Sequence, residues 1–246
     1  MEWIHNNICT CAHSNHSLFT YKVNSVTIGK TKGRKALIDP IVVLIITHQT
    51  YKNLKEIANY YNSLPQMGKY KVNFCYRLGK AYEITASAGL CFSKNIWVNN
   101  EWANLLIKNN IEINNAFFIT LGHELAHKDG DFAMLFWERK RKRYIHKEDR
   151  KFVNWVTEVH HDFAAAEKMV GSSKEKLIES IDYKIAVKPN NTDSPSHPSW
   201  KQRKLYAEIG AFNRKLIDII ALDTDCTNIT LIEEVSCFYK DIILMD

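Results

Sequence analysis

The sequence predicts an α+β fold, strands first and helices after. Up to about residue 100 the apolar residues fall in short, β-branched or alternating runs punctuated by Gly, Lys and Asn. Beyond it they recur at helical spacing in longer segments. A chain of 246 residues, 46% hydrophobic and 24% charged, suits one domain with a substantial core.

Taken in order, "LFTYKVNSVTI" (18–28) and "PIVVLIIT" (40–47) read as strands, with "GKTKGRK" (29–35) as a loop between them. "YKNLKEIANYYNSL" (51–64) has helical spacing and stops at Pro65. "KVNFCYRL" (71–78), "YEITASAGL" (82–90) and "KNIWVNN" (94–100) read as three short strands. Helices are expected over 101–109, over 112–130 with Gly130 as a C-terminal stop, and over 149–171 with Gly171 as another. A short helix over 173–181 precedes the polar loop "KPNNTDSPSHP" (188–198). A further helix runs through "SWKQRKLYAEIGAFNRKLIDIIAL" (199–222), and the last spans 228–244.

Composition narrows the function classes. No apolar run reaches the ~18 residues needed to span a bilayer, so no transmembrane segment is expected. The N-terminal stretch lacks the basic start and apolar stretch of a secretory signal, so a cytoplasmic location is expected, or wherever a host or partner delivers the chain. Cys9, Cys11, Cys75, Cys91, Cys226 and Cys237 lack framework spacing and read as reduced thiols. Cys9 and Cys11, with His5, His13 and His16 nearby, read as part of a polar N-terminus rather than a second metal site. The net charge is +6, and Arg139, Lys140, Arg141, Lys142 and Arg143 concentrate five cations in a row. That run reads first as a solvated helix end, with nucleic acid or an anionic surface as the other reading. "FAMLFW" just before it keeps a peripheral membrane contact open.

Chemistry concentrates in "GHELAH". On a helix, His123 and His127 are one turn apart on one face, so their imidazoles can grip one ion. Glu124 is turned roughly 100° around the axis, beside the ion rather than on it, where it can exchange protons with a water. The flanks "FFITLG" and "LA" are apolar, so the helix is buried and its histidines need partners. A catalytic zinc takes three protein ligands, so a third must come from elsewhere.

"EVHHD" offers Glu158, His160, His161 and Asp162. Glu158 and Asp162 share a face at i,i+4. Glu158 as ligand and Asp162 as acceptor for the N–H of a zinc-bound His give both carboxylates a reason for their spacing. His161 lies near that face and is the rival ligand, whereas His160 points elsewhere, toward the surface. Ala164, Ala165 and Ala166 follow and allow a second helix to pack closely.

These motifs resemble those of the gluzincin metallopeptidases of the HtpX and CAAX-prenyl-protease type. "GHELAH" is similar to their first motif, "EVHHD" with small residues after it to their second, and "SHPSWKQR" to their His-Pro segment followed by Arg. "EITASAGLCFSKNIWVNNEWANLL" resembles the edge strand, hairpin and lead-in helix before their zinc helix, so the likeness spans residues 82–203. It implies a zincin-like fold, with a small N-terminal mixed sheet followed by a mostly helical part. One peptidase domain would span 1–246, with a strand-rich segment to 80, a catalytic core over 81–205 and C-terminal helices over 206–246. It also implies one Zn2+ per chain held by His123, His127 and Glu158, with His197 and Arg203 at the cleft. An extended peptide or protein substrate would pair with an edge strand at Ile84, Thr85, Ala86, Ser87 and Ala88. The family's best-known members are integral membrane proteins, so this chain would be a soluble member, and residues 1–80 have no counterpart in it.

The expected activity is metalloendopeptidase, with Glu124 as general base. His197 is expected to donate to the oxyanion, and Arg203 to hold the loop or a substrate carboxylate. Two other roles for His197 stay open: a fourth ligand that keeps the enzyme latent, or a cap on the helix that begins near Ser199. Other classes are a catalytically silent zinc-binding protein and an adaptor that uses the basic run.

Overall fold

The structure, a computed structural model, describes residues 27–31, 34–37, 55–75, 86–87, 93–99, 102, 106, 115–129 and 145–243. The expected strand at 40–47, the CTC segment and the cations Arg139 to Arg143 lie outside the described residues. The fold is mixed α+β, with a small three-stranded sheet and a mostly helical remainder. The chain forms two compact units, residues 1–113 and 114–246.

In the first unit, β1 (Thr27–Thr31) and β2 (Arg34–Leu37) pair antiparallel. The expected loop over 29–35 is therefore mostly strand, and only Lys32 and Gly33 separate the two. A two-residue connection containing Gly is a hairpin signal that the high Lys and Arg content masked. Helix α1 covers residues 55–62 and gives way at Pro65 to a 3-10 turn, Pro65–Met67. Proline lacks the N–H to continue an α-helix but suits a first turn.

Strands β3 (Lys71–Cys75), β4 (Ala86–Ser87) and β5 (Asn95–Asn99) form a sheet in the order β3-β5-β4. β3 runs parallel to β5, and β4 antiparallel to it. Among the described strands, β4 with Ala86 and Ser87 stands at one end of the order, whereas Ile84, Thr85 and Ala88 of the expected edge strand lie outside the described residues. The Asn62 side chain pins the end of α1 to β3. It accepts from Val72 N–H at 2.7 Å and donates to the Val72 carbonyl at 3.3 Å.

The second unit is helical: α2 (Asn115–Asp129), α3 (Arg150–Val170), α4 (Lys174–Val187), α5 (Trp200–Ile209), α6 (Arg214–Asp223) and α7 (Ile229–Ile243). α3 is its axis. One side of α3 packs Phe152, Trp155, Val156 and Val159 against Tyr206 and against Leu216, Ile220, Val235 and Tyr239 from α6 and α7. Its Ala165 and Ala166 join Ile119 of α2, Leu177 and Ile181 of α4 and Ala207 of α5 in a second cluster. α3 ends at Gly171, in the left-handed conformation at φ 65°, as the sequence predicts.

Two boundaries differ from expectation. α4 continues to Val187, because Ile181 and Lys184 add a further buried turn. The single helix expected over 199–222 is two: Gly210 closes α5 at φ 92°, and Asn213 opens α6 by accepting from Leu216 N–H at 3.1 Å. A glycine followed by an N-cap residue within four positions is the signal for that break. Among the described residues, no helix is long and apolar enough to cross a membrane.

Candidate metal centre

α2 and α3 bring the two motifs together because Gly122 lets them touch. A Cβ at Gly122 would lie 2.5 Å from Met169 Cγ and 3.0 Å from both Cα and Cβ of Ala165. Ala165 supplies one half of this close contact. The glycine in "GHELAH" is the other half of the contact.

Two imidazole nitrogens and the two oxygens of one carboxylate meet there. His123 Nε2 is 3.2 Å from His127 Nε2 and 3.2 Å from Glu158 Oε2, and His127 Nε2 is 3.6 Å from Glu158 Oε1. A tetrahedral ion about 2.0–2.1 Å from its nitrogen and oxygen ligands has ligands about 3.3 Å apart. The His-His-Glu triangle fits that separation. His161 belongs to a looser group, in which one ligand atom each from His123, His127 and His161 lies within 4.8 Å of the others. Both groups could hold a metal. The Glu158 triangle is the tighter one.

Asp162 sits on the far side of His123. It accepts from His123 Nδ1–H at 3.0 Å, and the proton on Nδ1 leaves Nε2 to face the other donors. Arg203 Nε–H donates to Asp162 Oδ2 at 2.6 Å, and its Nη2 donates to Oδ1 at 2.5 Å. Arg203 Nη1 is also 3.8 Å from Glu158 Oε2. Arg203 is buried, and among the described residues its side-chain polar contacts run to Asp162, Glu158 and His123, whose Nδ1 is 3.2 Å from Nη2, with none to the 188–198 loop. Trp200 stacks under the Arg203 guanidinium at 4.5 Å, and the Lys184 ammonium lies 4.7 Å from the same ring. Nothing in the local sequence marks Trp200 or Lys184, because their contacts cross from α4 to α5.

The electrostatics follow this packing. Burial alone would lower the His123 pKa, but its hydrogen bonds to Asp162 and Glu158 outweigh that and raise it to about 9. Burial would raise Glu158, yet the hydrogen bond and charge of His123, with Arg203, bring it down to about 2. Burial would also raise Asp162, and the Arg203 charge holds it well below the ordinary carboxylate range. His127 falls to about 4 through burial and the neighbouring His123 charge, and burial holds His161 well below its ordinary value. The metal-free centre is thus a His123 cation clamped between two carboxylates, with neutral imidazoles beside it. A divalent cation can replace the proton on His123 Nε2.

Glu124 follows His123 on α2 and is buried, and its charge is felt at Arg203 and Lys184. His197 is half exposed, with Nε2 3.5 Å from Glu158 Oε1. Its loop is pinned to α3: Asn154 Nδ2–H donates to the Pro195 carbonyl at 3.0 Å and Trp155 Nε1–H to the Ser194 carbonyl at 2.8 Å. The cap of α5 is Ser199, which accepts from Gln202 N–H at 3.3 Å, so the capping role considered for His197 falls to Ser199. His160 is not a surface residue. Its ring packs 4.7 Å from Tyr239 and 5.0 Å from Phe212. Comparison with protein-family models, curated proteins and solved structures finds no match to this chain.

Proposed function

We propose that this chain is a zinc-dependent metalloendopeptidase of the gluzincin type, its helical unit zincin-like, with zinc held by His123, His127 and Glu158. The observation that supports the reading most is the convergence of His123, His127 and the Glu158 carboxylate, with contacts of 3.2, 3.2 and 3.6 Å, backed by Asp162 and Arg203. Zinc, when bound, supplies a Lewis acid for the peptide carbonyl and brings the pKa of its water near ~7.

The side chains divide the remaining work. Glu124, turned roughly 100° from His123 on the same helix, takes the proton from the attacking water and returns it to the leaving amine. Asp162 fixes the tautomer of His123, and Arg203 fixes Asp162. The Ser196 hydroxyl lies 2.8 Å from His197 Nδ1, and with the hydroxyl as donor the imidazole proton sits on Nε2. His197 Nε2–H then serves as donor to the developing oxyanion.

The test compares the native chain with Glu124→Gln and Glu158→Ala on a peptide library, with and without a chelator. Glu124→Gln is expected to keep its zinc by elemental analysis and to lose hydrolysis. Glu158→Ala is expected to hold zinc far more weakly. Cleavage by Glu124→Gln at the native rate removes Glu124 as the base. A native chain that holds zinc but cleaves nothing in the library is a silent zinc-binding protein.

A further inference from the structure

We propose that His161 is a fourth protein donor to the ion held by His123, His127 and Glu158; the inference rests on that reading of the site and adds a ligand to it. His161 is 1% exposed, and its Nδ1 is buried without a hydrogen-bond partner among the described residues. An unsatisfied buried nitrogen costs free energy, and a polar cluster that holds one needs an occupant to satisfy it. The ring stands against the other two imidazoles, its centre 4.1 Å from that of His127 and 5.6 Å from that of His123.

The spacing agrees. Glu158 and His161 form an E-x-x-H pair on one helix, the i,i+3 arrangement with which bundle helices direct a carboxylate and an imidazole to one metal. His160 supplies the contrast. Its Nδ1 also lacks a partner, but its ring lies among Tyr239 and Phe212. The His161 ring offers a ligand atom within 4.8 Å of those of His123 and His127, whereas the His160 ring lies against Tyr239 and Phe212, so His161 is the ligand of the two. Four protein donors give the composition of a closed site. Access for the attacking water would then require one of the four side chains to give way.

X-ray absorption on the zinc-loaded full chain counts the imidazoles directly. Three per zinc are expected in the native chain and in His160→Gln, and two in His161→Gln. Chelator competition is expected to show zinc held at least about tenfold more weakly by His161→Gln and unchanged in His160→Gln. Two imidazoles in the native chain, or native affinity in His161→Gln, overturns the assignment while leaving the His-His-Glu site intact. A native chain that takes up no zinc overturns both. If His161→Gln does not fold, the imidazole count in the native chain decides alone.

Discussion

Arg203 grips Asp162 with both arms of its guanidinium, Nε to Oδ2 and Nη2 to Oδ1, inside the helical unit. The two residues are 41 positions apart and both buried. The planar fork matches the carboxylate, and the His123 Nδ1–H shares one of its oxygens. The pair therefore sets the orientation of an imidazole that neither α2 nor α3 could fix alone.

Breaking that pair from one side leaves a charge buried without its partner. Arg203→Met is expected to cost about 3–5 kcal/mol of unfolding free energy, read by urea denaturation of the metal-free chain. The double variant Arg203→Met/Asp162→Leu is expected to lose less than the single, because the Asp162 carboxylate no longer has to be buried without the guanidinium. Additive losses would show that the two residues act independently.

Gly122 makes a packing prediction. The added methyl of Gly122→Ala meets Ala165 as well as the flexible Met169 side chain. A cost of about 1–3 kcal/mol is expected, read from the urea midpoint at constant slope. Adding Met169→Ala should recover only part of it, since Ala165 stays in the way. A neutral Gly122→Ala would mean that α2 and α3 separate freely at this contact.

The parts of the site legible in the sequence are those with local spacing. His123 with His127, and Glu158 with Asp162, are each one helical turn apart, so the pattern exposes them before any fold is known. The ends of α3 were legible for the same reason, since Gly171 stops it locally. The rest depends on contacts between elements. The partner of Arg203 lies on another helix, Lys184 reads as an ordinary lysine of an amphipathic segment, and the fit of Gly122 against Ala165 belongs to the helix interface. Gly210 and Asn213 were overlooked because helical periodicity resumes beyond them, and a lone glycine inside such a pattern is common.

Lys184 carries a pH dependence. Burial lowers its pKa from 10.5 to about 8, with the Asp162 charge opposing. The unfolded chain holds this proton up to about 10.4 and the folded chain releases it at about 8. The unfolded state therefore binds more protons between those values, and stability rises with pH across that window. Below about pH 8 the cost of burying the cation is present in full. Lys184→Met is expected to be more stable than the native chain at pH 7 by about 2–3 kcal/mol, with the gap closing toward pH 10. A gap of the same size at pH 7 and pH 10 would assign the effect to packing instead.

Zinc should stabilise the folded chain by mass action. The metal-free centre already holds its donors 3.2–3.6 Å apart, so binding needs little rearrangement and favours the native state over the unfolded one. At a free concentration a hundredfold above the dissociation constant, about 2.7 kcal/mol of added stability is expected. Chelation should remove it, and thermal melts with increasing zinc should track the concentration. Glu158→Ala should respond far less to zinc, because the site loses its carboxylate donor while the imidazoles of His123, His127 and His161 remain. His160→Gln should behave as native, since its ring faces Tyr239 and Phe212. A melting point that rises with zinc equally in the native chain and in Glu158→Ala would remove Glu158 from the ligands.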